Sequence, residues 1–438
     1  MPGKRKAEGA MERLALLGIE PGDSLKVSQD GISVKGILLP HDEFSGEDIF
    51  MIKLDSGYNT GFRFTDDTAV ELIRKGEMHA RQVRAAHPAA GPAAPRVAFI
   101  GTGGTIASFV DYRTGGVFPA FDADGIVSLV PELSSICALE GETLFTELSE
   151  NFGSREWVAL AREAASRLNS GYRGVLIAHG TDTMAYTSAA LSFMLRNLTG
   201  PVVLTGAQRS PDRPSFDGYL NLLCSARVAA LSDIGEVVIV MHSSISDNGC
   251  HVHRGTKARK MHSSRRDAFR SVNAAPIAFV DEDIHPMSPY RQVSKGRTEA
   301  DTRIADRVAL IQFYPGLGRQ DFMDWTEGKR GIVVAGTGLG HVSAEIVKCI
   351  RKRVADGIPV VVTTQCLYGT TDLKVYSTGR DMIRAGAIQG RDMLPEVAYV
   401  KLRYVLGHHR KMEDIRRMME TDIAGELSQS RRGADEIE

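Results

Sequence analysis

Short apolar runs alternate with amphipathic segments through most of the chain after residue 96, and this alternation constrains the fold more than any other feature. The apolar runs comprise residues 97–100, 175–178, 202–204, 237–240, 308–311, 332–334 and 360–362. The segments with helical period comprise residues 155–169, 184–197, 218–231 and 341–355. Strands that alternate with helices favour a parallel sheet with helices on both faces. We therefore predict an α/β core built on parallel sheets.

This core is preceded by a region of different character. Residues 84–95 form a Pro/Ala stretch without periodicity, which is typical of a semi-rigid linker. Residues 1–83 contain short strand-like runs separated by turn residues, and this pattern predicts a small N-terminal β-barrel-like module. The module has no recognisable catalytic set, so a docking or spacer role is the simplest interpretation.

The core itself is expected to consist of two domains, because 438 residues exceed what one hydrophobic core usually organises. A polar, Pro-containing break near residues 282–304 interrupts the alternation. We therefore predict a larger α/β domain over residues 96–285 and a smaller one over residues 305–415. Residues 425–438 are predicted to form a polar, frayed tail.

Composition argues against several classes of protein. The formal net charge of −1 does not suit a chain whose main task is to hold a polyanion by itself. We find no apolar stretch of the roughly twenty residues that a spanning helix needs, and no signal-peptide pattern. The five cysteines are scattered without C-x-x-C spacing, which favours a reducing compartment. We therefore expect a cytoplasmic protein without a membrane segment.

Two threonines carry the strongest chemical signal. Thr105 ends the run Gly-Thr-Gly-Gly-Thr, and Thr181 precedes Asp182 in His-Gly-Thr-Asp-Thr. Each motif follows an apolar run, so both are expected at the carboxyl ends of parallel strands, where open α/β sheets bind ligands. The chain has no G-x-S-x-G elbow, which indicates threonine rather than serine chemistry. A dinucleotide loop is the alternative, but its glycine spacing fails because Ile106 occupies the last position.

Together these motifs resemble the T-G-G-T-I-A and H-G-T-D-T signatures of the L-asparaginase/glutaminase family. The resemblance implies an asparaginase-like two-domain core, amidohydrolase chemistry and a Thr-Asp-Lys set, here Thr181, Asp182 and Lys260. Lys260 would activate a threonine hydroxyl, which is a weak nucleophile unless a base removes its proton. Two alternatives stay open: Lys260 is a solvated member of a basic stretch, or Lys257 takes its place.

The resemblance also implies roles for further residues. Thr105 would be the first catalytic threonine, and Tyr112 would belong to a lid that closes over substrate. Ser149 would donate to the substrate α-carboxylate and Glu150 would attract the α-ammonium, with a helix N-cap as the structural alternative. The family needs no metal, and the histidines around Cys250 lack a ligand spacing, so no metal site is expected.

The combination of a β module, a linker and this core resembles the family of D subunits of archaeal glutamyl-tRNA(Gln) amidotransferases. That resemblance implies a glutaminase that supplies ammonia to the amidotransferase E subunit, which converts Glu-tRNA(Gln) to Gln-tRNA(Gln). ATP and magnesium would be used by this partner, and the present chain would need no cofactor. A homodimer within a heterotetramer is implied, with tRNA bound mainly through the E subunit. The alternatives are a stand-alone L-asparaginase and a non-enzymatic binding subunit.

Overall fold

The computed structural model describes most of the chain. The described residues are 9–41, 46–54, 59–76, 91, 93–104, 106, 108–110, 117–119, 123–211 and 216–428. Most of the predicted linker over residues 84–95 lies outside them.

The N-terminal residues form a short helix and one antiparallel sheet, which confirms the predicted β module. Its elements are α1 (Ala10–Leu16), β1 (Ser24–Gln29), β2 (Ile32–Leu38), β3 (Ile49–Leu54), β4 (Asn59–Arg63) and β5 (Ala69–Arg74). The strand order is β4-β3-β2-β1-β5. Residues alternate between the two faces of a strand, so Leu25, Val27, Leu38 and Phe50 lie on the inner face and form a separate small core.

The larger α/β domain follows. Its strands are β6 (Arg96–Gly101), β7 (Ser108–Val110), β8 (Val117–Pro119), β9 (Ala138–Thr143), β10 (Gly174–Ala178), β11 (Leu195–Arg196), β12 (Val202–Thr205), β13 (Val237–His242), β14 (Cys250–Arg254), β15 (Ala258–Lys260), β16 (Phe269–Ser271), β17 (Ala278–Val280), β18 (Ile284–Pro286) and β19 (Glu299–Ala300). Its helices are α2 (Ala123–Leu129), α3 (Leu133–Ile136), α4 (Ser154–Asn169), α5 (Met184–Met194) and α6 (Gly218–Leu231), with a 3₁₀ turn at Ser149–Asn151.

Eight of these strands form the main sheet, in the order β18-β17-β14-β13-β12-β10-β6-β9. The five strands from β13 to β9 are parallel, as predicted. At the other edge β14, β17 and β18 pair antiparallel, so the sheet as a whole is mixed. The stretch from β13 to β18 is described throughout and contains no helix, and short loops can join only antiparallel neighbours.

Helices cover both faces of the sheet, because its strands are apolar on both sides. Every residue of β10, β12 and β13 is buried, which matches the continuous apolar runs in the sequence. Helices α4 and α5 pack on one face and helix α6 packs on the other. Helix α5 ends at Met194, earlier than the predicted residue 197, because Leu195 and Arg196 pair with β19.

The smaller α/β domain has a four-stranded parallel sheet, which confirms the predicted two-domain core. Its elements are β20 (Val308–Gln312), α7 (Arg319–Trp325), β21 (Gly331–Gly336), α8 (Ala344–Ala355), β22 (Val360–Thr364), α9 (Ser377–Arg384), β23 (Ile388–Gln389), α10 (Pro395–His408) and α11 (Met412–Glu420). Helix α10 packs against α5, with Phe193 stacked on Tyr404 at 6.0 Å between ring centroids. The two α/β domains therefore share an apolar interface.

The prediction of a frayed tail from Gly425 is wrong for residues 425–428. Glu426 is fully buried and its carboxylate lies 2.6 Å from the equally buried Lys401 ammonium. Leu427 is 5% exposed and joins the core of the smaller domain. The charged side chain alone suggested solvent exposure, and only its buried partner explains the packing. Residues 429–438 lie outside the described part of the chain. In that part, no helix is long and apolar enough to cross a membrane.

Candidate active site

The loops that follow the adjacent parallel strands β6 and β10 meet at the carboxyl end of the main sheet. Thr102 follows β6 and its hydroxyl donates to the Ala178 carbonyl at the end of β10, at 2.8 Å. Gly104 has a φ of +83°, and a Cβ there would lie 2.7 Å from the Cα and N atoms of Gly180. Glycine therefore allows both the left-handed turn and the direct backbone contact between the two loops.

Thr181, Asp182 and Lys260 come together at this edge. Lys260 Nζ lies 2.8 Å from Thr181 Oγ1 and 2.7 Å from Asp182 Oδ1. Thr181 is only 8% exposed and the Lys260 side chain 13%, whereas the Asp182 side chain is 72% exposed. The Asp182 carboxylate faces solvent, and the Lys260 amino group reaches inward to the Thr181 hydroxyl. The arrangement suits proton transfer between Thr181 and Lys260.

The partners of this contact lie on different structural elements. Thr181 and Asp182 lie between β10 and α5, which begins at Met184, so they sit beside the positive end of the helix dipole. Lys260 ends β15, which pairs with β16 in a short antiparallel hairpin. The rival Lys257 does not reach the threonine, because its ammonium is bound to Asp392 at 2.7 Å.

Ser149 lies beside the same motif. It begins the 3₁₀ turn, is 3% exposed, and its Cβ would lie 2.8 Å from a Cβ placed on Gly180. Thr183 donates its hydroxyl to the Ser149 carbonyl at 2.5 Å. Glu150 is exposed on this turn. The N-cap alternative fails here, because α4 begins at Ser154 and its N-cap position is Gly153.

His179, the first residue of the second motif, is fully buried. Its Nδ1 donates to the Gly180 carbonyl at 2.7 Å, and its ring packs edge-on against Phe152 at 4.7 Å between centroids. Burial lowers the pKa of His179 to about 4. The imidazole is therefore neutral at pH 7 and holds the backbone just before Thr181.

Two of the predicted site residues, Thr105 and Tyr112, lie outside the described residues. Their roles stay predictions. The flanking Gly104 and Ile106 are described, and Ile106 is fully buried under the sheet edge.

Sequence reasoning gave no role to two polar residues of this region. Thr183 fixes the Ser149 turn, and the only available signal was its place in the Thr-Asp-Thr motif. Gln208 follows β12, and its buried Nε2 has no hydrogen-bond partner in the described part of the chain. Its backbone amide donates to Asp217, which fixes the loop.

The histidines around Cys250 make contacts within the protein. His242 lies 2.7 Å from Asn221 Oδ1 and 3.1 Å from Asp247 Oδ1, and His253 lies 2.8 Å from Ser271 Oγ. The described residues contain no group of three His, Cys, Asp or Glu side chains that could hold a metal ion.

Family models match each part of the chain. The model for asparaginase, N-terminal, matches residues 96–290, and the glutaminase/asparaginase C-terminal domain matches residues 307–419. The GatD N-terminal domain matches residues 19–73.

The thermostable L-asparaginase from Thermococcus kodakarensis superposes with a TM-score of 0.70 at 32% identity, over 76% of this chain and 100% of that one. L-asparaginase I from Vibrio cholerae gives a TM-score of 0.67 at 27% identity, over 77% and 100%. The fold and the threonine motifs thus define an asparaginase-like protein, as predicted.

Comparison with curated relatives gives a more specific family for this chain. The D subunit of glutamyl-tRNA(Gln) amidotransferase from Pyrococcus furiosus is 46% identical, over 95% of this chain and 97% of the relative. The protein of that name from Saccharolobus islandicus is 44% identical, over 96% and 95%. The chain belongs to the family of glutamyl-tRNA(Gln) amidotransferase D subunits.

Proposed function

We propose that this chain is the glutaminase subunit of a tRNA-dependent amidotransferase. The observation that carries the proposal is the contact of Lys260 Nζ with both Thr181 Oγ1 and Asp182 Oδ1, at 2.8 and 2.7 Å. These distances put a potential base in direct reach of a hydroxyl nucleophile, with a carboxylate to orient it.

The proposed reaction is acyl transfer in two steps. A threonine Oγ, that of Thr105 or Thr181, bonds to the carboxamide carbon of glutamine while Lys260, as a neutral amine, accepts the hydroxyl proton. The carbon–nitrogen bond breaks, Lys260 gives the proton to the leaving nitrogen, and ammonia departs. Water then attacks the threonyl ester, which releases glutamate and restores the hydroxyl. Backbone amides of the glycine loop that includes Gly104 would stabilise the oxyanion.

The amino-acid end of glutamine would bind on the 3₁₀ turn. The Ser149 hydroxyl would donate to the α-carboxylate, and the exposed Glu150 carboxylate would pair with the α-ammonium. Tyr112 would cover the substrate from the lid side. Asp182 is mostly exposed, so it can contact a substrate that enters from solvent.

The ammonia would be used by the amidotransferase E subunit, which would amidate Glu-tRNA(Gln) with ATP and magnesium. The relatives are named as D subunits of a glutamyl-tRNA(Gln) amidotransferase, which supports a complex with other subunits. We expect a homodimer of this chain within a heterotetramer. The net charge of −1 supports tRNA binding mainly through the partner.

The test measures glutamate and ammonia release from glutamine by the purified chain, alone and with the E subunit plus Glu-tRNA(Gln). Turnover of glutamine by the complex is expected. A Thr181→Ala complex should lose glutamine-dependent amidation and keep ammonia-dependent amidation. Loss of both activities in a folded variant would contradict the division of labour.

A second candidate is a stand-alone L-asparaginase. Two solved structures that superpose on this core are L-asparaginases, and both are covered over their full length. Brisk asparagine turnover by the chain alone, without partner or tRNA, would favour this function over the first.

A further inference from the structure

Lys257, the lysine that does not reach Thr181, is a deeply buried charged side chain near the site. Its side chain is 2% exposed and its ammonium lies 2.7 Å from Asp392 Oδ2 in the smaller α/β domain. Asp392 lies 135 residues further along the chain and its own side chain is only 10% exposed. A buried ion pair of this kind fixes the relative position of two segments, because separating it leaves a charge without water or partner.

Additional hydrogen bonds attach the same segment to the smaller domain. The Thr256 hydroxyl donates to the Ala424 carbonyl at 3.0 Å. Asn273, just after the partner strand β16, donates through Nδ2 to the carbonyls of Gly369 and Asp392, each at 3.0 Å. Both ends of the hairpin that carries Lys260 are therefore tied to the smaller domain.

A second ion pair also joins the hairpin to the smaller domain. Arg259 Nε is 3.6 Å from Glu396 Oε1, at the start of α10. Arg259 and Lys260 are successive residues of a strand, so their side chains point to opposite faces. Lys260 faces Thr181, and Arg259 faces the smaller domain.

We propose that Asp392 is a positioning residue for Lys260, acting through its ion pair with Lys257, and that Glu396 assists through Arg259. Lys257 precedes Lys260 by three residues, about 10 Å along an extended chain. The ion pair therefore fixes the hairpin near the base without touching the substrate. This inference rests on the proposed glutaminase function, since it assigns what holds the base of that reaction in place.

The hairpin formed by β15 and β16 is short. A three-residue strand paired with another three-residue strand is marginal by itself, so the hairpin depends on its contacts with the rest of the protein. A displacement of about 1 Å in a catalytic group can reduce a rate roughly a hundredfold. Loosening the hairpin should therefore lower the rate of the chemical step. The Ser149 turn lies on another segment and should stay in place.

The test compares Asp392→Asn with Asp301→Asn in the complex with the E subunit and Glu-tRNA(Gln), by steady-state glutamate release. Asp301 is the matched control: its carboxylate lies 2.8 Å from His408 Nε2, its side chain is 13% exposed, and His408 ends helix α10, whose first turn contains Glu396. This contact is about 18 Å from Glu396 along the helix.

For Asp392→Asn we expect kcat to fall about ten- to a hundredfold, with KM for glutamine within about threefold of wild type. The Asp301→Asn control should keep kcat within about twofold. An unchanged kcat in folded Asp392→Asn, or an equal loss in the control, would overturn the inference.

Lys257→Met keeps the inference testable if Asp392→Asn does not fold, because it removes the buried ammonium rather than leaving it unpaired. The same fall in kcat is expected, and an unchanged kcat would overturn the inference. A wild-type complex that releases no glutamate would instead overturn the proposed function, and the inference with it.

Discussion

The two α/β domains end their parallel strands in similar loops, yet only one assembles the candidate site. In the larger domain the Thr181 hydroxyl, after β10, contacts the Lys260 ammonium at 2.8 Å. In the smaller domain Thr364 ends β22 and donates to the Gly338 carbonyl at 2.5 Å, while Thr337 donates to the His341 carbonyl at 3.1 Å. Thr181 therefore contacts a potential base, whereas Thr364 and Thr337 donate to backbone carbonyls.

The difference lies in what approaches the sheet edge from outside. The larger domain continues into antiparallel strands, and the β15–β16 hairpin that follows β14 brings a lysine to the loop after β10. The described sheet of the smaller domain consists of four parallel strands only. The carboxyl ends of the parallel strands thus position Thr181, and an antiparallel hairpin supplies Lys260.

The largest expected effect comes from replacing Thr181, and the equivalent change at Thr364 of the smaller domain is its control. Thr181→Ala should lower glutamine turnover by the complex about a thousandfold or more, because the hydroxyl next to the base is lost. Thr364→Ala should keep kcat within about twofold and cost about 2 kcal/mol of stability, since it removes two hydrogen bonds, one to the Gly338 carbonyl and one from the Cys366 amide. Glutamate release measures kcat, and thermal unfolding measures stability. Similar kcat values for Thr181→Ala and Thr364→Ala would contradict the proposed difference between the two domains.

Replacing the lysine should give the next largest effect. Lys260→Met removes the base and should lower kcat about 10²- to 10⁴-fold. Lys260→Arg is the matched variant, because guanidinium still donates hydrogen bonds but does not lose its proton near neutrality. We expect it to be as slow as Lys260→Met in the glutamate-release assay. Near wild-type activity in the arginine variant would mean that Lys260 only holds the threonine hydroxyl.

The buried His179 gives the larger domain a pH-dependent stability. Its pKa is about 4 in the folded chain and about 6.5 when exposed, so the unfolded chain binds more protons between these values. This contribution is complete above about pH 6.5 and is lost as pH falls towards 4; at pH 5 the loss is about 2 kcal/mol.

Thermal unfolding from pH 7 to pH 5 tests this. The variant His179→Phe should show a smaller fall in Tm over that range than wild type. Parallel curves for the two proteins would show that the acid sensitivity comes from other groups, such as the buried His253, whose pKa burial lowers to about 3.

The smallest effect concerns the Ser149 turn. Thr183→Val keeps the shape but removes the 2.5 Å hydrogen bond to the Ser149 carbonyl, and should raise KM for glutamine several-fold with little change in kcat. Thr183→Ser retains the hydroxyl and should behave as wild type. A glutamine titration of both variants checks the pair; equal KM values would exclude a positioning role for Thr183.

Periodicity predicted the parallel strands and long helices well, because those elements are buried on both faces or have one long apolar stripe. Helix α6 spans Gly218–Leu231, which matches the predicted range. The antiparallel edge was missed, since β17 and β18 have three residues each and too little pattern to detect.

The site was predicted only in part, for a different reason. The motifs identified Thr181 and Asp182, but nothing local distinguishes Lys260 from Lys257 in one basic stretch. What separates them is burial against Asp392, a residue far away in sequence. The position of Thr105 stays a prediction, as does that of Tyr112.

The ion pair between Lys257 and Asp392 also has a consequence for biosynthesis. At about 5–20 residues per second, a ribosome needs roughly 7 to 27 s to add the 135 residues that separate the two partners. During this interval the larger domain already has its threonine motifs, while the carboxylate that anchors its lysine hairpin has not been made. Under the proposed function, the nascent domain should therefore have little amidase activity until the smaller domain emerges and docks, which would delay ammonia release until these 135 residues have been added.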